Sequence, residues 1–546
     1  MGIPSYFSYL IHHHAGVLCK YATIVQRNIE FNRLYMDCNS ILYDCYRQIP
    51  SDEPLESLED KLLDLTATQI DNYIHQINPS DYVYIAFDGV APMAKMEQQR
   101  TRRYKSWFDT TIAQKIDPPK YEQDPKKTTC MFTPGTAFMN RLSLYMRHRF
   151  ENQEKKFRLK KIIVATPDEP GEGEHKLYAH MRQYRCKPDE TSVVYGLDAD
   201  LLMLSLFHLS YCPNLYVFRE APQFGPFKKE ANDPEEPLFL DIAKLGRSIA
   251  AEMRCKSTDI HRMVDYVFMC FFLGNDFLPH FPALNIRTGG INALMDAYRL
   301  KIGNRPEQFL ISRTMKIQWN NLYSFVKELA SHEYHYICQE YATRRKWDQK
   351  PVDLQLKKTV KEKMDLFQNT PMLYRKEENY ICPHESKWEE RYYKILFPPN
   401  TQIQDVCLNY LEGLEWVFQY YTQGKVDWNW KYRYHYPPLL KDLSPKIPIN
   451  ATSFLPKRIT SPVHPQTQLA YVLPPIHHHL LEPTIAKKLR TQYGQYYVGF
   501  PNEDGIPQLE FVWAFCRYFW ECHVYLPEIP DKVLNDINAA ASEASR

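Results

Sequence analysis

Through the first half of the chain, short β-branched or aliphatic runs alternate with amphipathic stretches. Strands are expected at 33–36, 82–87, 161–165 and 192–196, and helical spacing follows them, for example over 174–183 and 201–206. Strands alternating with helices predict an α/β fold, a mostly parallel central sheet flanked by helices. Ligands of such sheets gather beyond the carboxyl ends of the strands. From about residue 310 the pattern becomes helical and aromatic-rich, with helices expected at 319–334, 353–367 and 403–421. The Pro-rich, charged stretch 219–237 reads as a surface loop, and 437–483 as a segment without helical periodicity wrapped over the core. The chain therefore divides into a first region over 1–310, a second, mainly helical region over 311–535 and a flexible tail over 536–546.

Composition narrows this picture. With 546 residues, 44% hydrophobic and 24% charged, the chain is long and apolar enough to bury a large core. The formal net charge of +2 means that any basic surface is local and offset by acids elsewhere. Thirteen Cys without a CxxC pair argue for reduced thiols inside a cell and against zinc. No leader pattern, myristoylation pattern or membrane-length apolar run is evident, so the expectation is a cytoplasmic protein, the nucleus remaining open, with no membrane partner.

Carboxylates follow each expected strand. Asp37 and Asp88 end the first two, Glu172 and Glu174 follow the third, Asp198 and Asp200 the fourth, and Asp276 lies in a later Gly-Asn-Asp turn. Strand ends of one parallel sheet lie side by side, so these seven groups converge. Their mutual repulsion calls for hard divalent cations, and two such ions roughly 4 Å apart activate water and stabilise the leaving oxygen in phosphodiester cleavage. The bland explanation for any one of them is a helix N-cap.

Pro92 opens an expected helix of unusual charge. Lys95, Gln99, Arg102 and Arg103 fall at i, i+4, i+7 and i+8, one helical face, with only one acid, Glu97, among the basic residues. Such a face suits a terminal phosphate, which Arg binds in a bidentate way; a solvated charged face is the ordinary alternative.

In order along the chain, MGIPSYFSYL, LYMDCNSILYDC, AFDGVAPMAKMEQQRTRRYKS, TPGTAFM, PDEPGEGEHK, YGLDADLLML and CFFLGNDFLPHFPAL resemble the first conserved region of the XRN family of 5′→3′ exoribonucleases. GLEWVFQYYTQGKVDWNWKYRYHYPPLL and PQTQLAYVLPP resemble its second. The resemblance covers essentially the whole chain, in a compact form similar to those of large DNA viruses. It implies a PIN/FEN-like nuclease core and Mg²⁺, two ions with Mn²⁺ able to substitute, held by Asp37, Asp88, Glu172, Glu174, Asp198, Asp200 and Asp276. It implies that Lys95, Gln99, Arg102 and Arg103 receive the 5′-monophosphate of single-stranded RNA, excluding caps and triphosphates, with processive release of mononucleotides. Where the family has a base-stacking His this chain has Tyr43, which stacks without becoming cationic; its stacking partner is Trp428 or Trp430. The triplets at 12–14 and 477–479 read as structural, because His is not a preferred Mg²⁺ ligand.

Two other functions fit the same carboxylates. A flap-type, structure-specific DNA nuclease would not need the basic helix, and a non-catalytic RNA-binding scaffold would not need all seven acids.

Overall fold

The computed structural model describes the chain apart from residues 1, 2, 4, 15, 51, 119–126, 197, 220–236, 257–258, 349–358, 425, 451–452, 457–459 and 545–546. Its centre is a seven-stranded sheet built from β1 (Leu18–Lys20), β2 (Arg33–Asp37), β3 (Tyr82–Ala86), β4 (Lys161–Ala165), β5 (Thr191–Tyr195), β6 (Asn214–Arg219) and β7 (Leu238–Asp241). The strand order is β1-β7-β6-β5-β2-β3-β4. The five strands β4, β3, β2, β5 and β6 run parallel, and β7 and β1 close one edge antiparallel.

The inner strands read as nearly continuous apolar runs because both faces of the sheet are covered. Leu34, Met36, Val83 and Ile85 face one helical layer, whereas Tyr35, Tyr84 and Val194 face the other. Register sets Asp37 opposite Ala86, Ala86 opposite Ala165 and Met36 opposite Tyr195, so the carboxyl ends of the four strands finish level. Lys176 ties two of these ends together, its ammonium donating to the carbonyls of Phe87 (2.8 Å) and Thr166 (3.0 Å).

The four expected strands are present within a residue at each end. β1, β6 and β7 were not expected: β1 has three residues, and β7 follows the Pro-rich stretch. Arg219, expected in a loop, ends β6, and 220–236 lies outside the described residues. The basic helix runs Met93–Ile116, longer than the charged face suggested, with Pro92 just ahead of it. Helices Trp319–Asp348, Val360–Gln368 and Ile403–Thr422 occupy the second region; residues 353–358 of the second expected helix lie outside the described residues.

Two expectations are corrected. Within the Pro-rich stretch, Pro465–Val472 is a helix with Thr467 to Val472 buried, because Pro at its first turn lacks only an N–H that needs no partner. The expected flexible tail is the larger part of a helix, Asp531–Ala544, since Val533, Leu534, Ile537 and Ala541 repeat at helical spacing and are buried. The largest cluster of buried apolar side chains extends from Ile3 to Phe515, so packing does not break at residue 310. All thirteen cysteines are unpaired, and no described helix is long and apolar enough to cross a membrane.

Candidate active site

Six of the seven carboxylates sit where a parallel strand hands over to the next helix, and Asp276 follows the helix Arg262–Cys270 and the short turn Phe271–Leu273. Asp37 is the last residue of β2, and Asp88 follows β3. Glu172 and Asp198 are the N-cap residues of helices Gly173–Gln183 and Ala199–Phe207, with Glu174 and Asp200 in the first turns. Neither N-cap side chain makes a capping hydrogen bond, so capping does not explain these acids. Asp37, Asp88, Glu172, Glu174 and Asp198 instead line one cleft of about 280 Å³. Asp200 and Asp276 are buried and are not among the cleft-lining residues; the Lys95 ammonium links Asp276 to Glu172 on the cleft wall.

The cluster is tightly fitted. The Gly173 N–H donates to Asp88 Oδ1 at 2.7 Å, and a Cβ at Gly173 would stand 2.7 Å from Asp37 Oδ1. Only glycine permits that approach. Asn39 clamps Asp88 from the other side, its Nδ2 donating to Asp88 Oδ2 while its Oδ1 accepts from the Asp88 N–H at 3.2 Å.

Burial, then repulsion from Asp88 and Asp198, pushes the Asp37 carboxyl well above the usual range. Burial does the same to Glu174, against the pull of Lys95, and burial with the charge of Asp276 raises Asp200 to about 7. The internal counter-charge is Lys95, which pairs with Glu172 and, at 2.9 Å, with Asp276. Burial alone would raise Asp276, but this ammonium holds it far below the usual range. Two tyrosines of helix Ile403–Thr422 reach in from the second region: Tyr420 donates to Glu172 (2.7 Å) and Tyr421 to Asp200 (3.2 Å).

These residues fit a divalent metal. Asp37 Oδ1 is buried with no hydrogen-bond partner, and Glu172, Glu174 and His175 offer ligand atoms within 4.8 Å of one another. Burial holds His175 neutral, stacked 3.7 Å from Tyr420, and its Nδ1 has no partner. A carboxylate-rich set with one imidazole suits a hard divalent cation.

The basic helix forms the facing wall. Lys95, Gln99, Arg102 and Arg103 line the cleft. Their helical neighbours turn away: Arg100 donates to the carbonyls of Pro527 (2.9 Å) and Tyr496 (3.1 Å), and Lys105 to those of Trp520 (2.8 Å) and Cys522 (2.7 Å). Gln99 is buried and held by Gln468 at 3.4 Å. Arg103 Nε is buried without a partner, whereas Arg102 is exposed.

Tyr43 lines the same cleft, edge-on to Phe132 at 5.0 Å. The two tryptophans separate. Trp430 is buried, stacked 5.1 Å from Trp416 and donating to Glu412, which leaves it no face for a base. Trp428 is half-buried at the start of the basic helix, its carbonyl accepting from the Met93 N–H at 2.8 Å. The His triplets lie away from the acids: His12 and His13 are exposed, and His478 lies 3.3 Å from the carbonyl of Leu473.

Sequence reasoning missed Asn39, His175, Tyr420, Tyr421 and Gln468. Asn39 and His175 sit within two residues of named acids, a signal that was present. The other three come from hundreds of residues away; the stretches that hold them, GLEWVFQYYTQGK and PQTQLAYVLPP, were marked by the family resemblance, but nothing in them pointed to the acids.

Residues 1–221 match a family model described as the XRN 5′-3′ exonuclease N-terminus, and residues 257–386 and 376–540 match one described as the Xrn1 helical domain. A "5′-3′ exoribonuclease 2 homolog" of Drosophila melanogaster is 28% identical over 87% of this chain and 64% of its own length. The "5′-3′ exoribonuclease 2" of Arabidopsis thaliana is 27% identical over 94% of this chain and 62% of its own. For the "5′-3′ exoribonuclease 1" of Saccharomyces cerevisiae the figures are 26%, 92% and 41%. The chain thus spans less than two thirds of each of these relatives. Against a solved structure, the catalytic core of Rad2 in complex with DNA substrate, the likeness is loose: a TM-score of 0.32 at 12% identity, covering 81% of this chain and 92% of that one.

Proposed function

The chain belongs to the XRN family of 5′→3′ exonucleases, and on that footing we propose that it is a processive 5′→3′ exoribonuclease acting in RNA decay. Its substrate is single-stranded RNA with a 5′-monophosphate, and its products are mononucleotides. One observation carries this reading: a single cleft is lined both by Asp37, Asp88, Glu172, Glu174 and Asp198 and by Lys95, Gln99, Arg102 and Arg103.

Arg102 and Arg103 bind the terminal phosphate, with Gln99 donating or accepting beside them. Gln99, a buried lining residue fixed by Gln468, confines the pocket and disfavours a cap or triphosphate. Lys95 couples the two walls, since its ammonium already contacts Glu172 and Asp276. Asp37, Asp88, Glu172, Glu174, Asp198, Asp200 and Asp276, with His175, hold the divalent cations, Mg²⁺ or Mn²⁺. When bound, two such ions supply an activated water and stabilise the leaving oxygen. Asn39, Gly173, Tyr420 and Tyr421 fix the carboxylates so that little reorganises during the reaction. Tyr43 stacks on the 5′ base, with Trp428 as its partner. Thirteen unpaired thiols favour the reducing cytoplasm as the place of action.

The test offers matched RNAs ending in 5′-hydroxyl, monophosphate and triphosphate, alongside a flapped DNA, with and without EDTA. Only the monophosphorylated RNA is expected to be degraded, to mononucleotides, and not in EDTA. Equal digestion of the three RNAs removes the phosphate pocket, and preference for the flap favours the structure-specific DNA nuclease.

A further inference from the structure

A second cavity, of about 410 Å³, lies across the basic helix from the acidic cleft. Its volume falls inside the ~300–1,000 Å³ of small-molecule sites. The helix supplies Ala94, Gln98 and Thr101 to it, and the segments 432–436 and 514–523 supply rings, among them Tyr432, His435, Trp520 and His523. His435 and His523 stack at 5.1 Å, presenting flat heteroaromatic surface.

Its polar groups divide into those already matched and those left over. Asp276 pairs with Lys95, Glu521 with Arg287 at 2.6 Å, and Glu97 with Tyr471 and Lys431. Both polar atoms of the Gln98 amide and Nδ2 of Asn275, by contrast, are buried without hydrogen-bond partners, an arrangement that native proteins rarely leave unexplained. Lys105 meets two main-chain carbonyls rather than a carboxylate. Arg102 lines both this cavity and the acidic cleft.

We propose that this cavity is a binding site for a nucleoside 5′-monophosphate, with the base against the rings and amides and the phosphate toward Arg102 and Lys105. An amide offers a donor and an acceptor and flips to suit any base edge. Ring stacking is equally tolerant of sequence, as a site that receives every nucleotide of an RNA must be. The source of the ligand rests on the nuclease reading: each cut releases one nucleotide beside Arg102, and the chamber holds it off the path of the next.

The test measures equilibrium binding of radiolabelled AMP and UMP to the full chain in EDTA, where no cleavage occurs. Gln98→Leu is expected to weaken both by about tenfold, the loss of one or two hydrogen bonds. Binding of 5′-monophosphorylated RNA should stay within about twofold, and Arg103→Ala should do the reverse. Photocrosslinking of the unaltered chain with 8-azido-AMP, expected to label 432–436 or 514–523, gives a readout independent of any variant's folding. AMP binding that follows Arg103→Ala and ignores Gln98→Leu, crosslinks confined to the acidic cleft, or no saturable AMP binding each overturns the chamber. Gln98-dependent AMP binding in a chain that degrades no RNA keeps the chamber and removes the nuclease reading instead.

Discussion

The ammonium of Lys95 lies 2.9 Å from Oδ2 of Asp276 and also pairs with Glu172, so the basic helix places a counter-charge inside the acidic cluster. Lys95→Met removes the ammonium that Glu172 and Asp276 share, a loss of about 3 kcal/mol or more when one partner of a buried pair is removed. Urea unfolding in EDTA should show that loss, and added Mg²⁺ or Mn²⁺ should recover more stability in the variant than in the unaltered protein. An equal response of the two proteins would mean that the cation does not reach these carboxylates.

Asp198 and Asp200 flank the start of one helix without a side-chain cap from Asp198; Asp198 lines the acidic cleft, and Asp200 accepts from Tyr421. Replacing both with Ala should reduce divalent-dependent cleavage by at least about a thousandfold, since on the proposed reading these carboxylates would hold a cation that supplies the nucleophile and stabilises the leaving group. Binding of 5′-monophosphorylated RNA, followed by fluorescence anisotropy, should persist. Cleavage at the original rate would sink the metal assignment.

Asn39 touches Asp88 through both ends of its amide. Groups that orient a metal ligand typically contribute about 10–100-fold to affinity or activity. Asn39→Ala should fall in that range, with part of the loss recovered at higher Mg²⁺. A loss that no metal concentration moves would indicate a folding role.

Stability should depend on pH in a direction the buried acids dictate. Asp37, Glu172, Glu174 and Asp200 titrate higher in the fold than in the unfolded chain, Asp200 at about 7. The folded state then binds more protons than the unfolded one, so their contribution is present at low pH and lost as pH rises through the folded values. In EDTA the thermal midpoint should fall from about pH 5 to 8, and Mg²⁺ should raise it most at the upper end. A midpoint in EDTA that rises over this interval contradicts the reading.

Tyr43 lines the cleft and meets Phe132 edge-on at 5.0 Å. Tyr43→Ala should cost about 1–3 kcal/mol of RNA affinity, the worth of one base stack, and shorten the run of cuts per binding event. Tyr43→Phe and Tyr43→His should both retain stacking, and product-length distributions separate these cases.

The alternation of β2 to β5 with their helices was legible because burial of both sheet faces forces continuous apolar runs. Asp37, Asp88, Asp198 and Asp200 were legible because they follow such runs within a few residues, whereas Glu172 and Glu174 stood out as an acidic pair before a helix and Asp276 in a Gly-Asn-Asp turn. Lys95, Gln99, Arg102 and Arg103 shared a face by helical spacing alone. These are local regularities, and local periodicity fixes them.

Tertiary structure decided the rest. It put Lys95 inside the acidic cluster, brought Tyr420 and Tyr421 onto Glu172 and Asp200 from more than two hundred residues away, and buried Trp430 while leaving Trp428 half-open. Such contacts depend on how separate layers meet across the fold, and no spacing within one segment encodes which distant side chain will face it.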